Sequence, residues 1–378
     1  MSPTHRLLQD LVRLPSVNPM GRAVTGDVFY EHRVTDYLER FFTDLGAPYK
    51  RTSVAPQRDN IVARYESPGS KPWLLFEVHQ DTVPVDGMTI DPFAGEVRDG
   101  KLFGRGACDV KGGMTAMLTA FARLVREGPA GAANVLLACT VDEEHTFLGV
   151  QKLMADGYRA DFAVVAEPTR LQVVDTHKGV VRWKVRTEGR ACHSSRPDQG
   201  ENAIYHMGHV LPLIERYADR LIQSPAHPRL GPPTLSVGRI EGGVSVNTVP
   251  DACVIELDRR LLPGEDPMRA WSDFNAAVLL PSPVPVSCEN VWMACPALEA
   301  LPAPELRERF ARAIDAVEGR HEVLAVPFGT DASSIAEAGI PAVVFGPGDI
   351  AQAHTKDEWI ELDQIDRAAE IFYRFAVG

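Results

Sequence analysis

Between residues 71 and 167, unbroken apolar runs alternate with stretches whose apolar positions recur three and four residues apart. The runs at 73–78, 134–141 and 162–166 read as strands covered on both faces. The stretches at 28–45, 113–126 and 148–155 read as helices, and each stops at a glycine (Gly46, Gly128, Gly157), the residue that most readily takes the left-handed terminal conformation. Such alternation predicts an α/β sheet with helices on both faces.

Beyond residue 178 the texture changes. A strand at 180–187, a helix at 203–221, strands at 234–240 and 252–259, a helix at 267–278 and a strand at 284–291 spell β-α-β-β-α-β, the ferredoxin-like split unit. From residue 304 the α/β alternation returns, with a helix to 317, a strand at 342–345 and a closing helix at 362–375. The expectation is one catalytic α/β domain in two parts, 1–178 and 292–378, interrupted by an inserted domain at 179–291. The proline-rich stretch 281–285 would serve as the returning linker.

A chain of 378 residues with 45% apolar and 24% charged positions has enough apolar surface for two such cores. Its net charge of -12 and the lack of any Lys/Arg block argue against a nucleic-acid partner. The six cysteines are scattered with no Cys-x-x-Cys pair, which argues for a reduced, cytoplasmic protein. No signal-type run opens the chain and no apolar stretch reaches about 18 residues, so no membrane association is expected.

The chemistry collects where the strands end. The first run leads into His79 and Asp81, the second into Asp142, Glu143 and Glu144, and the third into Glu167. Ligands of open α/β sheets bind beyond these carboxyl ends. Converging carboxylates raise one another's pKa unless a cation neutralises them, so a divalent metal, and more economically a pair, is implied. Gly104, Gly106, Gly112 and Gly113 surround Asp109 and Lys111 just before a helix, giving the backbone freedom to aim Asp109. Neither G-x-x-x-x-G-K-[ST] nor a complete G-x-G-x-x-G is present, which disfavours a phosphate cradle.

On an extended chain His79 and Asp81 would share a side, so Asp81 could accept the second ring N–H of a metal-bound histidine. Adjacent Glu143 and Glu144 would face opposite ways, dividing metal binding from acid/base work. His206 and His209 stand three apart on a predicted helix without a carboxylate motif and are read as helix-face residues, while His145 and His177 are reserve ligands. Ser194, Ser195 and Cys192 sit in no nucleophile elbow, so a covalent mechanism is not expected.

The ordered set His79-Gln80-Asp81-Thr82-Val83-Pro84, Gly104-Arg105-Gly106-Ala107-Cys108-Asp109-Val110-Lys111-Gly112-Gly113, Asp142-Glu143-Glu144 and Ala166-Glu167-Pro168-Thr169 resembles the acetylornithine deacetylase and succinyl-diaminopimelate desuccinylase family. These are co-catalytic di-metal amidohydrolases and exopeptidases, related to aminoacylases and carboxypeptidases. The likeness continues through Lys178-Gly179, Cys192-His193-Ser194-Ser195, Asn247 to Asp251, Asp258 to Gly264, Gly329-Thr330-Asp331-Ala332 and Ala353-His354-Thr355. It implies that His79 and Glu167 hold one ion, that Glu144 and His354 hold the other, and that Asp109 bridges them. Zinc leads as the metal, with cobalt or manganese as alternatives.

The resemblance further implies that Glu143 is the general base, that Asp81 orients His79, and that the Asp109–Val110 bond is cis. His193 would reach the partner's active site in a homodimer formed by the inserted lid and dimerisation domain. Arg260 would grip a substrate carboxylate near Asn247. The implied reaction is hydrolysis of the amide bond of an N-acyl amino acid, with an exopeptidase acting on short peptides as the alternative. A catalytically silent binding protein would be expected to lose a ligand or the base, and all six positions are filled here.

Overall fold

The computed structural model describes residues 1–69 and 71–378, and the chain divides into two compact units. The first comprises Met1–Thr176, Glu299–Leu324 and Thr330–Gly378; the second comprises His177–Leu298 and Ala325–Gly329.

An eight-stranded sheet organises the first unit, in the order Tyr49–Ala55, Arg58–Tyr65, Asn134–Thr140, Trp73–His79, Phe162–Val165, Ala342–Val344, Val173–His177, Val323–Val326. Its central strands Asn134–Thr140, Trp73–His79, Phe162–Val165 and Ala342–Val344 run parallel, while Arg58–Tyr65 and Val173–His177 flank them antiparallel. Every residue of Asn134–Thr140 and Phe162–Val165 is buried, as strands covered by helices on both faces must be. Phe76, Phe162, Phe310, Phe345, Phe372 and Phe375 form one aromatic cluster, with the Phe310 and Phe375 ring centroids 4.8 Å apart. Each such buried ring stabilises the fold by about 1.5–3 kcal/mol.

Helices Gly112–Glu127 and Leu148–Ala155 lie within a residue of the predicted spans, and Gly128 closes the first in the left-handed conformation. The helix expected from residue 28 begins instead at His32. Two of the four residues before it are already engaged: Val17 N–H donates to the Val28 carbonyl at 2.9 Å and Tyr30 N–H donates to the Val17 carbonyl at 3.0 Å.

The second unit follows the order strand, helix, strand, strand, helix, strand: Gly179–Glu188, Ala203–Ile222, Thr234–Gly242, Ala252–Leu261, Pro267–Phe274 continuing through Leu279, and Val286–Cys288. Burial alternates strictly along Ala252–Leu261. One sheet face packs Val181, Trp183, Ile255 and Leu257 against Met207, Val210 and Phe274 of the helices, and the other carries Arg182, Lys184, Glu256 and Asp258.

The strand expected over 284–291 is shorter: ladder pairing runs over Val286–Cys288, Glu289 and Trp292 N–H still donate to the Lys184 and Arg182 carbonyls at 2.9 and 3.2 Å, and the chain bulges between them before Met293–Cys295 pairs with Gly179–Glu188. Residues 281–285 lie inside this unit, and the chain leaves it after Leu298. Among the described residues, no helix is long and apolar enough to cross a membrane.

Candidate metal centre

Three parallel strands end at one rim of the eight-stranded sheet. His79 is the last residue of Trp73–His79, Glu143 and Glu144 follow Asn134–Thr140, and Glu167 follows Phe162–Val165. One donor atom each from His79, Asp109 and Glu167 lies within 4.8 Å of the others, and the same holds for Asp109, Glu144 and His354. Asp109 belongs to both groups. Its Oδ1 is 3.2 Å from His79 Nε2, and its Oδ2 is 3.3 Å from His354 Nε2, which is also 3.3 Å from Glu144 Oε2.

His79 Nδ1 donates to the main-chain carbonyl of Asp81 at 3.0 Å, with the Asp81 carboxylate farther off at 3.6 Å. A carbonyl can only accept, so in the neutral ring Nδ1 carries the proton and Nε2 turns its lone pair toward Asp109 and Glu167. The Asp81 carboxylate has other partners: it accepts from Asn18 Nδ2 at 2.8 Å and from the backbone N–H groups of Glu143 and Glu144 at 3.1 and 3.2 Å. Glu143 and Glu144 are not on extended chain as expected; Asp142, at φ +64°, turns the backbone so that both amides face Asp81. Asp142 itself is held by Arg58, Thr146 and Asn18.

The loop bearing Asp109 passes through Gly104 and Gly106. Gly106 has φ +82°, and a Cβ there would stand 2.7 Å from Thr82 Cγ2, so a side chain is excluded twice over. The Asp109–Val110 peptide is cis.

Crowding governs ionisation at the rim. Burial first, then Asp109 and Glu143, drive the Glu167 carboxyl well above its usual range. Glu143 rises as well: burial raises it most, His79 opposes, and Glu144 and Asp109 add to the rise. Burial works against both Asp109 and His79, yet His354 and His79 hold Asp109 low while Asp109 and Asp81 hold His79 high. Hydrogen bonding to Asp109 and Glu144 lifts His354 to about 11. Deeper still, Thr140 donates to Glu77, whose carboxyl is pushed up by burial to about 7, and also approaches buried Asp331.

These residues fit a pair of divalent cations. His79 Nε2 and Glu144 Oε1 are buried and make no hydrogen bond among the described residues, in a set of imidazole nitrogens and carboxylate oxygens suited to zinc, cobalt or manganese.

His193, Asn247 and Arg260 belong to the second unit. His193 is exposed, with Nδ1 2.8 Å from Ser195 Oγ, and it pairs as a bridge with Thr248 beside Asn247. Arg260 donates through Nε to Asp258 Oδ1 at 2.7 Å. Sequence reasoning passed over Asn18, Arg58 and Glu358. Glu358, fully buried, receives the main-chain N–H of Asp109 across 249 residues of chain, and no local pattern announces it.

A helix-covered parallel sheet with nitrogen and oxygen donors gathered on its rim is the frame of a metal-dependent hydrolase. The chain belongs to peptidase family M20/M25/M40, whose description it matches over residues 75–377. It is 32% identical over 354 residues to the acetylornithine deacetylase of Myxococcus xanthus, covering 89% of this chain and 86% of that protein. Among solved structures it is similar to the M20 family metallo-carboxypeptidase Sso-CP2 of Sulfolobus solfataricus, with TM-score 0.79, 19% identity, and coverage of 100% of this chain and 99% of that one. It is likewise similar to the Bacillus subtilis protein YXEP, a dinuclear metal-binding peptidase of the M20 family, with TM-score 0.69, 16% identity, and coverage of 99% and 96%.

Proposed function

We propose that this chain hydrolyses the amide bond of an N-acyl amino acid, as a deacylase of the acetylornithine deacetylase type. The observation that carries this reading is the donor cluster sharing Asp109 with Glu143 beside it. The relative of Myxococcus xanthus, named an acetylornithine deacetylase, supports the choice of substrate class.

His79 and Glu167 would hold one ion, Glu144 and His354 the other, with Asp109 common to both. Ions held by these residues would supply Lewis-acid chemistry, polarising an amide carbonyl and lowering the pKa of water. Glu143 takes the proton of the attacking water and returns it to the departing amine. Asp81 keeps Glu143 and Glu144 in place through their backbone amides, and its main-chain carbonyl fixes the tautomer of His79. His193 stabilises the oxyanion and Arg260 holds a substrate carboxylate, with Asn247 close to the substrate.

The second unit acts as lid and as the contact of a homodimer. Val244, Val246 and Tyr205, exposed there at 89%, 101% and 72%, supply an apolar surface for that contact. No disulfide joins the cysteines among the described residues, in keeping with a reducing compartment such as the cytoplasm.

The test is a hydrolysis panel of N-acetyl, N-succinyl and N-formyl amino acids beside simple dipeptides, with zinc and cobalt supplied separately. Deacylation outpacing peptide cleavage is expected; preferential dipeptide cleavage would replace this reading with an exopeptidase.

A further inference from the structure

Glu358 is a buried carboxylate whose four bonds converge on the loop that carries Asp109. Its Oε1 accepts the backbone N–H of Cys108 at 2.8 Å and of Asp109 at 3.0 Å; its Oε2 accepts the N–H of Gly106 at 3.0 Å and Arg105 Nη1 at 2.7 Å. We propose that Glu358 is a positioning residue for Asp109, setting where the carboxylate common to both donor groups stands. The inference rests on the two-ion reading above.

Simple charge balance for Arg105 does not account for the arrangement. Arg105 also donates to the carbonyls of Pro84 at 3.1 Å and Thr355 at 3.3 Å, whereas three of the bonds to Glu358 come from the main chain. Without that carboxylate, those amides would be buried and unpaired, a costly condition that the loop would relieve by moving.

The way Glu358 is delivered strengthens the case. Strand Trp359–Glu361 pairs antiparallel with Lys101–Phe103, and Gly104 N–H donates to the Glu358 carbonyl at 3.0 Å, so main-chain pairing also docks the residue against the loop. His354 lies four residues earlier on the same segment, with Nε2 3.3 Å from Asp109 Oδ2. One short stretch of chain thus grips Asp109 at both ends, by its carboxylate through His354 and by its amide through Glu358.

The experiment is a Co2+ titration of the full-length, chelator-treated protein, read by calorimetry and by the visible absorption of the bound ion, on wild type, Glu358→Gln and Glu358→Asp. Glutamine keeps the size but turns an NH2 donor toward donors; aspartate keeps both acceptors on a shorter arm. The expected result is an altered cobalt band and roughly 10- to 100-fold weaker binding in Glu358→Gln, with a smaller loss in Glu358→Asp. A role confined to folding would lower the melting temperature and leave the band and affinity of the folded protein unchanged.

A folded Glu358→Gln protein with wild-type affinity and spectrum overturns the proposal. If Glu358→Gln does not fold, Glu358→Asp decides: an altered band supports the proposal and a wild-type band overturns it. The wild-type arm separates this from failure of the underlying reading. A wild-type chain that binds fewer than two ions removes the shared role of Asp109 and both inferences with it, whereas two ions bound equally well by wild type and Glu358→Gln removes only the role of Glu358.

Discussion

At the rim of the eight-stranded sheet Asp81, Asp109, Glu143 and Glu167 are buried near one another, whereas on the outer face of the five-stranded sheet each acid has a base beside it and water around it. Arg239 meets Glu241 at 2.7 Å with the two side chains 63% and 73% exposed, and Glu256 draws in both Arg239 and Lys184. Such exposed pairs are nearly self-sufficient and of small energetic weight. At the rim, burial and neighbouring carboxylates instead push Glu143 and Glu167 upward while the histidines hold Asp109 low, and His79 Nε2 and Glu144 Oε1 make no hydrogen bond among the described residues. Both regions are rich in charge, but the rim gathers buried carboxylates around two histidines in groups that could hold metal ions.

The largest way to break this contrast is at Glu143. Glu143→Ala is expected to lower kcat by about 10²- to 10⁴-fold while elemental analysis finds the metal content of wild type. Unchanged turnover would show that the acid/base work is done elsewhere. Next is Asp81→Asn, which places an amide where three donors now converge; metal affinity or kcat should fall by roughly 10- to 100-fold, measured by competition with a chelator. Wild-type affinity would mean that the rim does not depend on this hub.

A buried group of the second unit sharpens the comparison through pH. Burial holds His177 down to about 4, and its Nδ1 donates to the Lys178 carbonyl at 3.0 Å. The unfolded chain, with a histidine pKa near 6.5, therefore takes the proton first as pH falls, so this stability is full above about pH 6.5 and is lost toward pH 4. Between pH 7 and pH 5 the loss is about 2 kcal/mol, and urea unfolding of wild type should fall by that much more than unfolding of His177→Gln. Equal pH dependence in the two proteins would contradict it. The smallest effect is expected on the solvated face, where Arg239→Ala should change urea stability by less than about 1 kcal/mol. A larger loss would erase the distinction between the two regions.

Much of the rim was legible because each of its strands carries its own signal. An apolar run leading into His79, into Glu143 and Glu144, or into Glu167 is a local pattern, and parallel pairing then brings the three ends together. What supports those residues was not legible. Glu358 and Asn18 meet the rim through contacts 249 and 63 residues long, and the turn at Asp142 depends on Arg58 from a strand that periodicity did not reveal. The missed strands Tyr49–Ala55 and Arg58–Tyr65 form an edge hairpin, the first of them largely solvent-accessible, and lack the continuous apolar run that marks the centre of the sheet. The helix start at His32 was likewise decided by main-chain pairing with another segment, where Val17 meets Val28 and Tyr30.

The most direct test of the central claim is calorimetric titration of the chelator-treated chain with Zn2+, run on wild type and on Asp109→Ala. Two donor groups sharing one aspartate predict two ions per wild-type chain and loss of tight binding at both positions when Asp109 is removed. One ion or none in wild type, or two ions still held by Asp109→Ala, would contradict the account.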